Sequence, residues 1–354
     1  MGRRRDRWMI RTVVPSARAG TLNGLLLASK RRRLQSAVFA TVVGLAACAA
    51  GPSLVNSSLV ASTSKPTPAV NVDTAQVLAA VRAAQHVQRV PKSLYSRLAN
   101  PDVAGPQIYF DCIGVNNPAG ADLFGNCAYG DPNGKKLMVI YGDSHSSMWA
   151  AALEDIAIRT GWKLKVFEFG GCPVPDLNFY SYQTNAPFTA CKLYHKTAVA
   201  AIRALHPRLV LVTSISNQEI GKNVYPTSAQ WQRGLTETLR SLSQPGQEMA
   251  VIGDIPEWSN NDATCLAAHL DDVQACSVPL SMGRAANNKA EKGAAARMGA
   301  LYVDTEPWIC GARCEPIIHN TIVYYNNYHI SDTYAQYLSG TLQEALAPLL
   351  RKGS

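Results

Sequence analysis

The chain has 354 residues, 47% of them hydrophobic and 17% charged, enough apolar side chains for a sizeable core and too many for a disordered polymer. Its formal charge of +9 is local: ten of the 34 basic residues lie in residues 1–33, where only Asp6 opposes them, and the rest of the chain balances to zero. A neutral body speaks against a phosphate-binding surface, and so against a nucleic-acid partner, as the source of the high pI. Directly after "KRRR" (Lys30 to Arg33) comes a stretch with no charged residue before Lys65. The pattern predicts a basic cytoplasmic segment over 1–33 and a membrane-targeting segment over 34–50, with everything after it outside the cytoplasm.

Three outcomes stay open for that segment: an uncleaved signal anchor, a lipoprotein signal, and a simply cleaved peptide. "LAAC" (Leu45 to Cys48) resembles a lipobox, which would make Cys48 a lipidation site. Residues 51–105 read as a linker and a short helical extension. "ASTSKPTPAVNV" is a Ser/Thr/Pro tether, and "DTAQVLAAVRAAQHVQRV" carries apolar residues at Val77, Val81, Ala84 and Val87, a helical spacing that Pro91 ends.

The remaining eight cysteines fall into close sequential pairs, read as Cys112 with Cys127, Cys172 with Cys191, Cys265 with Cys276, and Cys310 with Cys314. Local pairs suit an oxidising, extracytoplasmic compartment. The Cys310 and Cys314 spacing also resembles half a zinc site, but no second C-x-x-C or His pair accompanies it, so structural disulfides are the expectation and no metal is expected.

From Lys136 onward the pattern alternates between strand and helix. Strands are predicted over 137–141, 163–169, 208–214, 248–253 and 300–304, and helices over 146–159, 191–205, 227–243, 283–298 and 331–350. Such alternation predicts an α/β domain over 106–354, a three-layer sandwich with a central parallel sheet covered by helices on both faces. No G-x-G-x-x-G or Walker-type loop is present, so a bound nucleotide is not expected.

The chemistry gathers at strand ends. "LMVIYGDSHSSMWAAAL" (137–153) places Ser144 at a strand-to-helix turn, where a hydroxyl is presented beside free helix N–H groups. A serine nucleophile needs a base, and "YYNNYHISDTYAQYL" offers His329 on a polar loop before the last helix. In "VFEFGGCPVPD" the pair Gly170 and Gly171 ends a strand and permits close backbone approach; in "LVLVTSISNQE", Asn217 follows another strand end and can lend an amide. Glycine and asparagine are also ordinary turn residues. His145 follows the nucleophile and is a candidate for touching the substrate, with a helix N-terminal residue facing solvent as the expected role. Trp149, Trp258 and Trp308 are candidates for stacking on a sugar, with ordinary packing the plainer reading at each.

These four blocks, in this order, resemble the SGNH hydrolase superfamily, over roughly residues 91–350. "GDSHSSMWAAAL" and the C-terminal block "YVDTEPWIC…C…YYNNYHISDTYAQYL" are more particularly similar to the SGNH domain of bacterial cell-envelope membrane O-acyltransferases. The resemblance implies a flavodoxin-like SGNH fold, Ser144 as nucleophile, and His329 as base. It also implies an oxyanion hole from Ser144, Gly171 (or Gly170) and Asn217, a disulfide at Cys310 and Cys314 before the final His, and no cofactor. The implied activity is that of an envelope-anchored serine esterase or O-acyltransferase acting on O-acyl groups, such as O-acetyl, of cell-surface glycans through an acyl-serine.

Two departures qualify it. The family's last block reads D-x-x-H, whereas Asn326 stands three residues before His329, so the third catalytic member is Asn326, a backbone carbonyl, Asp332 or Asp304. The fused transferases carry many membrane spans before this domain and this sequence offers at most one, which points to a separate membrane acyltransferase as partner. The alternative is a catalytically impaired SGNH accessory module that binds glycan or such a transferase.

Overall fold

The computed structural model describes residues 72–99, 129–181, 183–257, 262–283 and 285–352, which belong to one compact unit. The basic segment, the membrane-targeting segment, Cys48, the Cys112 and Cys127 pair, and Trp258 lie outside the described residues. Among the described residues no helix is long and apolar enough to cross a membrane.

The chain enters through helix α1 (Thr74–Ala84), opened by a capping box in which Asp73 and Gln76 exchange hydrogen bonds. Its Val77, Val81 and Ala84 are buried against the C-terminal part of the chain, and Thr74 donates to Glu344 from both its N–H and its hydroxyl. The segment expected to be a mere extension is thus, over this helix, packed onto the α/β body.

The central sheet follows: β1 (Tyr129–Gly130), β2 (Lys136–Gly142), β3 (Trp162–Glu168), β4 (Leu209–Thr213), β5 (Glu248–Ile252) and β6 (Leu301–Val303). Their order is β1-β3-β2-β4-β5-β6. All neighbours are parallel except the β1 edge, which runs antiparallel to β3. The inner strands β2, β4 and β5 are largely buried on both faces, which is why they read as continuous apolar runs. Met138, Ile140, Leu209 and Leu211 face a layer formed by helices α2 (Ser144–Met148), α3 (Ala150–Thr160), α7 (Asp332–Tyr337) and α8 (Ser339–Lys352), with α1 on the same side. Val139, Tyr141, Val210 and Val212 face α4 (Thr189–Ala204), α5 (Ser228–Leu242) and α6 (Asn288–Met298). This is the expected three-layer arrangement.

Two predicted helices are each divided. The one expected over 146–159 starts earlier, at Ser144, and breaks at Trp149, whose ring is fully buried; the one over 331–350 breaks at Leu338. Trp308 is buried as well, at 6% exposure, so neither Trp149 nor Trp308 is available to stack on a ligand. Disulfides join Cys172 to Cys191, Cys265 to Cys276 and Cys310 to Cys314, as the sequential pairing predicts.

The order of strands changes direction at β2: the chain moves outward to β3 on one side and crosses back to β4 on the other. Open α/β sheets leave a crevice at the carboxyl ends of the strands flanking such a point.

Candidate active site

Gly142 is the last residue of β2, and a Cβ there would meet the Thr213 carbonyl oxygen of β4 at 2.1 Å. Only glycine lets the two strand ends close so tightly. Asp143 then caps α2: its carboxylate accepts from the His145 N–H at 2.9 Å and, across the crevice, from the Ile215 N–H at 2.9 Å. One buried side chain therefore ties the turn after β2 to the loop after β4 and sets where Ser144 stands. Burial pushes the Asp143 carboxyl up to about 6, even though His145 and the two amides pull the other way.

His329 comes from a hairpin, β7 (Tyr324–Asn326) against β8 (His329–Ile330), which pairs Asn326 directly with His329. The Ser144 Oγ lies 2.7 Å from His329 Nε2, and His329 Nδ1 lies 2.8 Å from Asn326 Oδ1. The same Oδ1 accepts from the backbone N–H groups of Tyr328 and His329, at 2.9 and 3.0 Å. An oxygen already taking two N–H donors requires the third group facing it to donate as well. The proton therefore sits on Nδ1, which leaves Nε2 free to accept from Ser144. Among the described residues the hydrogen-bond partner of Nδ1 is Asn326, not Asp332 or Asp304.

Burial, with a smaller contribution from His145, lowers His329 to about 3. Its imidazole is neutral throughout the physiological range.

Ser144, Gly171, Asn217 and His329 line one cavity of about 420 Å³, together with Ile215, Gln218, Glu219, Tyr225 and Tyr328. Of the two candidate glycines it is Gly171 that borders the cavity, and its φ of +67° is a conformation that favours glycine. The Cys172–Cys191 disulfide anchors this loop to α4 immediately after Gly171. Asn217 also donates from its side chain to Glu257, a half-buried carboxyl that burial pushes above its ordinary range. A larger hollow, about 620 Å³, lies between α4 and α5 and is lined by Lys192, Lys196 and Arg203 among others; none of the candidate catalytic residues reaches it.

The sequence reading misplaced His145. It is 1% exposed instead of facing solvent, and its Nδ1 lies 2.7 Å from Asp254 Oδ1. Asp254 follows β5 in "VIGDIP", so a Gly-Asp pair ends this strand as it ends β2; that repeated pair was the signal available. Glu168, at the end of β3, was also missed. It is buried beside Ser147, and burial pushes its carboxyl up to about 8. Tyr225 and Tyr328, at the cavity mouth, remain 57% and 41% exposed.

Residues 111–344 match the model of a family described as the SGNH domain (fused to AT3 domains). A comparison with curated proteins finds no match. Among solved structures, the periplasmic domain of a lipopolysaccharide acetyltransferase from Salmonella ser. Paratyphi A is similar in fold. Its TM-score is 0.51 at 16% identity, over 73% of this chain and 96% of that one. Weaker likenesses include a putative acylhydrolase from Bacteroides fragilis, with 13% identity, 67% and 99% coverage and a TM-score of 0.39. A catalytic mutant of an acetylxylan esterase from Geobacillus stearothermophilus has 9% identity, 62% and 95% coverage and a TM-score of 0.37. The family match spans about two thirds of the sequence and takes in the serine, glycine, asparagine and histidine blocks that meet at the cavity, and the chain belongs to the family of SGNH domains of the kind found fused to AT3 acyltransferase domains.

Proposed function

We propose that this protein is an envelope-anchored serine esterase or O-acyltransferase that acts on O-acyl groups of cell-surface glycans through an acyl-serine intermediate. The observation that carries this reading is the 2.7 Å contact of Ser144 Oγ with a His329 Nε2 whose tautomer leaves it free to accept. In the reaction Ser144 Oγ attacks the acyl carbonyl carbon while its proton passes to His329 Nε2. The Ser144 and Gly171 N–H groups and the Asn217 amide serve as the oxyanion donors. His329 returns the proton to the departing alcohol oxygen and leaves Ser144 acylated. Water as the second nucleophile completes hydrolysis; a sugar hydroxyl completes transfer.

The glycan assignment draws support from Tyr225 and Tyr328, exposed aromatic rings on the rim of a small cavity and suited to the faces of a sugar. The envelope assignment rests on the confinement of excess basic charge to residues 1–33 ahead of an uncharged run. A membrane acyltransferase is the partner suggested by a family whose SGNH domains are found fused to AT3 domains.

The test is intact-mass detection of an acyl adduct after incubation of the protein with short-chain acyl esters and with acetylated glycans. An adduct that forms on the wild type and disappears in Ser144→Ala, at an unchanged melting temperature, is the expected result. Retention of the adduct in that variant removes Ser144 as nucleophile. The neutral Asn326 favours a second reading, an accessory module that binds glycan or a membrane acyltransferase; a wild type that reacts with neither ester nor fluorophosphonate selects it.

A further inference from the structure

His145 lies directly behind the candidate catalytic pair, and nothing in the acyl-transfer steps uses it. Its ring meets the His329 ring edge to face, with 5.1 Å between centroids, and its Nδ1 is 2.7 Å from Asp254 Oδ1. Asp254 is itself held in place: Oδ2 accepts from the Ser216 N–H at 2.8 Å and Oδ1 from the Ile255 N–H at 2.8 Å. Both side chains are buried, at 1% and 0% exposure, so water screens neither of them.

We propose that His145 is a positioning residue for the reaction assigned above: paired with Asp254, it is a permanent buried imidazolium whose charge, set edge-on against His329, keeps that base unprotonated in acid. The proposal rests on His329 being the base. Every titratable group that faces His145 from the surrounding elements bears on this. Asp143 comes from its own turn, Asp254 and Glu257 from the loop after β5, Glu168 from the end of β3, and His329 from the hairpin. Four of the five are acids, and the fifth is the base itself. Burial alone would strip the proton from His145, but Asp254, with Asp143 and Glu257, reverses that and raises it to about 9. Among the described residues the group on His329 Nδ1 is the neutral Asn326 amide and not a carboxylate, and the His145 cation lies beside the ring. Burial, reinforced by that cation and opposed by no anion, pushes His329 down to about 3. The outcome is a serine that stays reactive at pH values where an ordinary histidine, near 6.5, would already be protonated and idle.

Two measurements decide the matter. Imidazole nitrogen NMR of histidine-labelled protein reads charge directly: His145 should be protonated on both nitrogens from pH 5 to 8, with His329 neutral over the same range. A neutral His145 at pH 6 overturns the proposal. The second measurement is the rate of Ser144 labelling by a fluorophosphonate against pH. His145→Asn keeps a donor toward Asp254 without the charge, and Asp254→Asn removes the partner that keeps His145 protonated. In either variant the acid limb of the profile should move up from about 3 by about one pH unit or more, so that labelling at pH 3.5 relative to pH 8 drops about threefold or more. A merely structural role would lower the rate equally at all pH values; an unmoved limb in a folded variant therefore overturns the proposal. Should His145→Asn fail to fold, Asp254→Asn and the NMR titration still decide. A wild type that does not label at any pH would defeat the assigned reaction instead, while the NMR would still report the charge on His145.

Discussion

Asn326 does two jobs with one atom. Its Oδ1 closes the hairpin by accepting two backbone N–H groups and orients His329 by accepting a third. The first job suits Asn or Asp equally, so the turn itself does not require a carboxylate. The second differs in charge: an amide orients the ring but does not stabilise the imidazolium that forms as Ser144 gives up its proton. In serine proteases, replacing the carboxylate behind the histidine by an amide costs about 10⁴ in kcat. Asn326→Asp places a carboxylate where three N–H donors already converge, so the fold should accept it. The expected outcome is a rise in esterase kcat of roughly tenfold or more and a rise in the apparent pKa of His329, since a nearby anion favours the charged imidazole. Steady-state kinetics across pH on an acyl ester measure both; a flat or lower rate in a folded protein would mean that the charge at 326 is not what limits the base.

At the scale of elements, the loop after β3 is held by the Cys172–Cys191 disulfide, which closes a loop of sequence separation 19 right beside Gly171. Breaking it with the double change Cys172→Ser/Cys191→Ser should cost about 3 kcal/mol of stability from loop closure. It should also slow Ser144 labelling, because Gly171 loses its anchor. The corresponding change at Cys265 and Cys276, whose loop carries no cavity-lining residue, should lower stability with less effect on labelling. Thermal melts and labelling rates on the two double variants check the contrast. Gly142→Ala should be worse than either for its size, since the added methyl runs into the Thr213 carbonyl. A loss of about 1 to 3 kcal/mol is expected, read by denaturant unfolding. The strands and helices of the α/β body were legible because a sheet covered on both faces writes its strands as apolar runs. Gly171, Asn217 and His329 were legible because they sit at strand ends and on a polar loop. His145 was not: a histidine next to a nucleophile looks like a helix-start residue until the loop after β5 supplies Asp254, a partner 109 positions away that no local pattern announces.

For the whole molecule, the buried titratable groups set the pH at which it is most stable. His145 is held up at about 9 by Asp254 against the effect of burial, and burial holds Glu168 and Glu291 up at about 8. Each keeps its proton in the fold after the unfolded chain has released it, so their contribution is present at low pH and is lost as pH rises toward 8 and 9. Burial lowers His195 to about 4 and His329 to about 3, and the stability tied to these two is lost as pH falls from about 6.5 toward those values. Over the span from about pH 6.5 to 8 the folded protein carries more protons than the unfolded one, so the melting temperature should be lower at pH 9 than at pH 5.5. Calorimetry at constant ionic strength tests this, and a higher value at pH 9 would contradict it. Ser144 and His329, finally, stand 185 residues apart in the chain. All six strands of the central sheet precede in sequence the hairpin that carries the base, and contacts so distant in sequence form late, after the intervening chain has lost its freedom. A nascent or partly threaded chain therefore holds its serine without its base and is chemically silent, so reactivity at Ser144 reports that the final helices have docked.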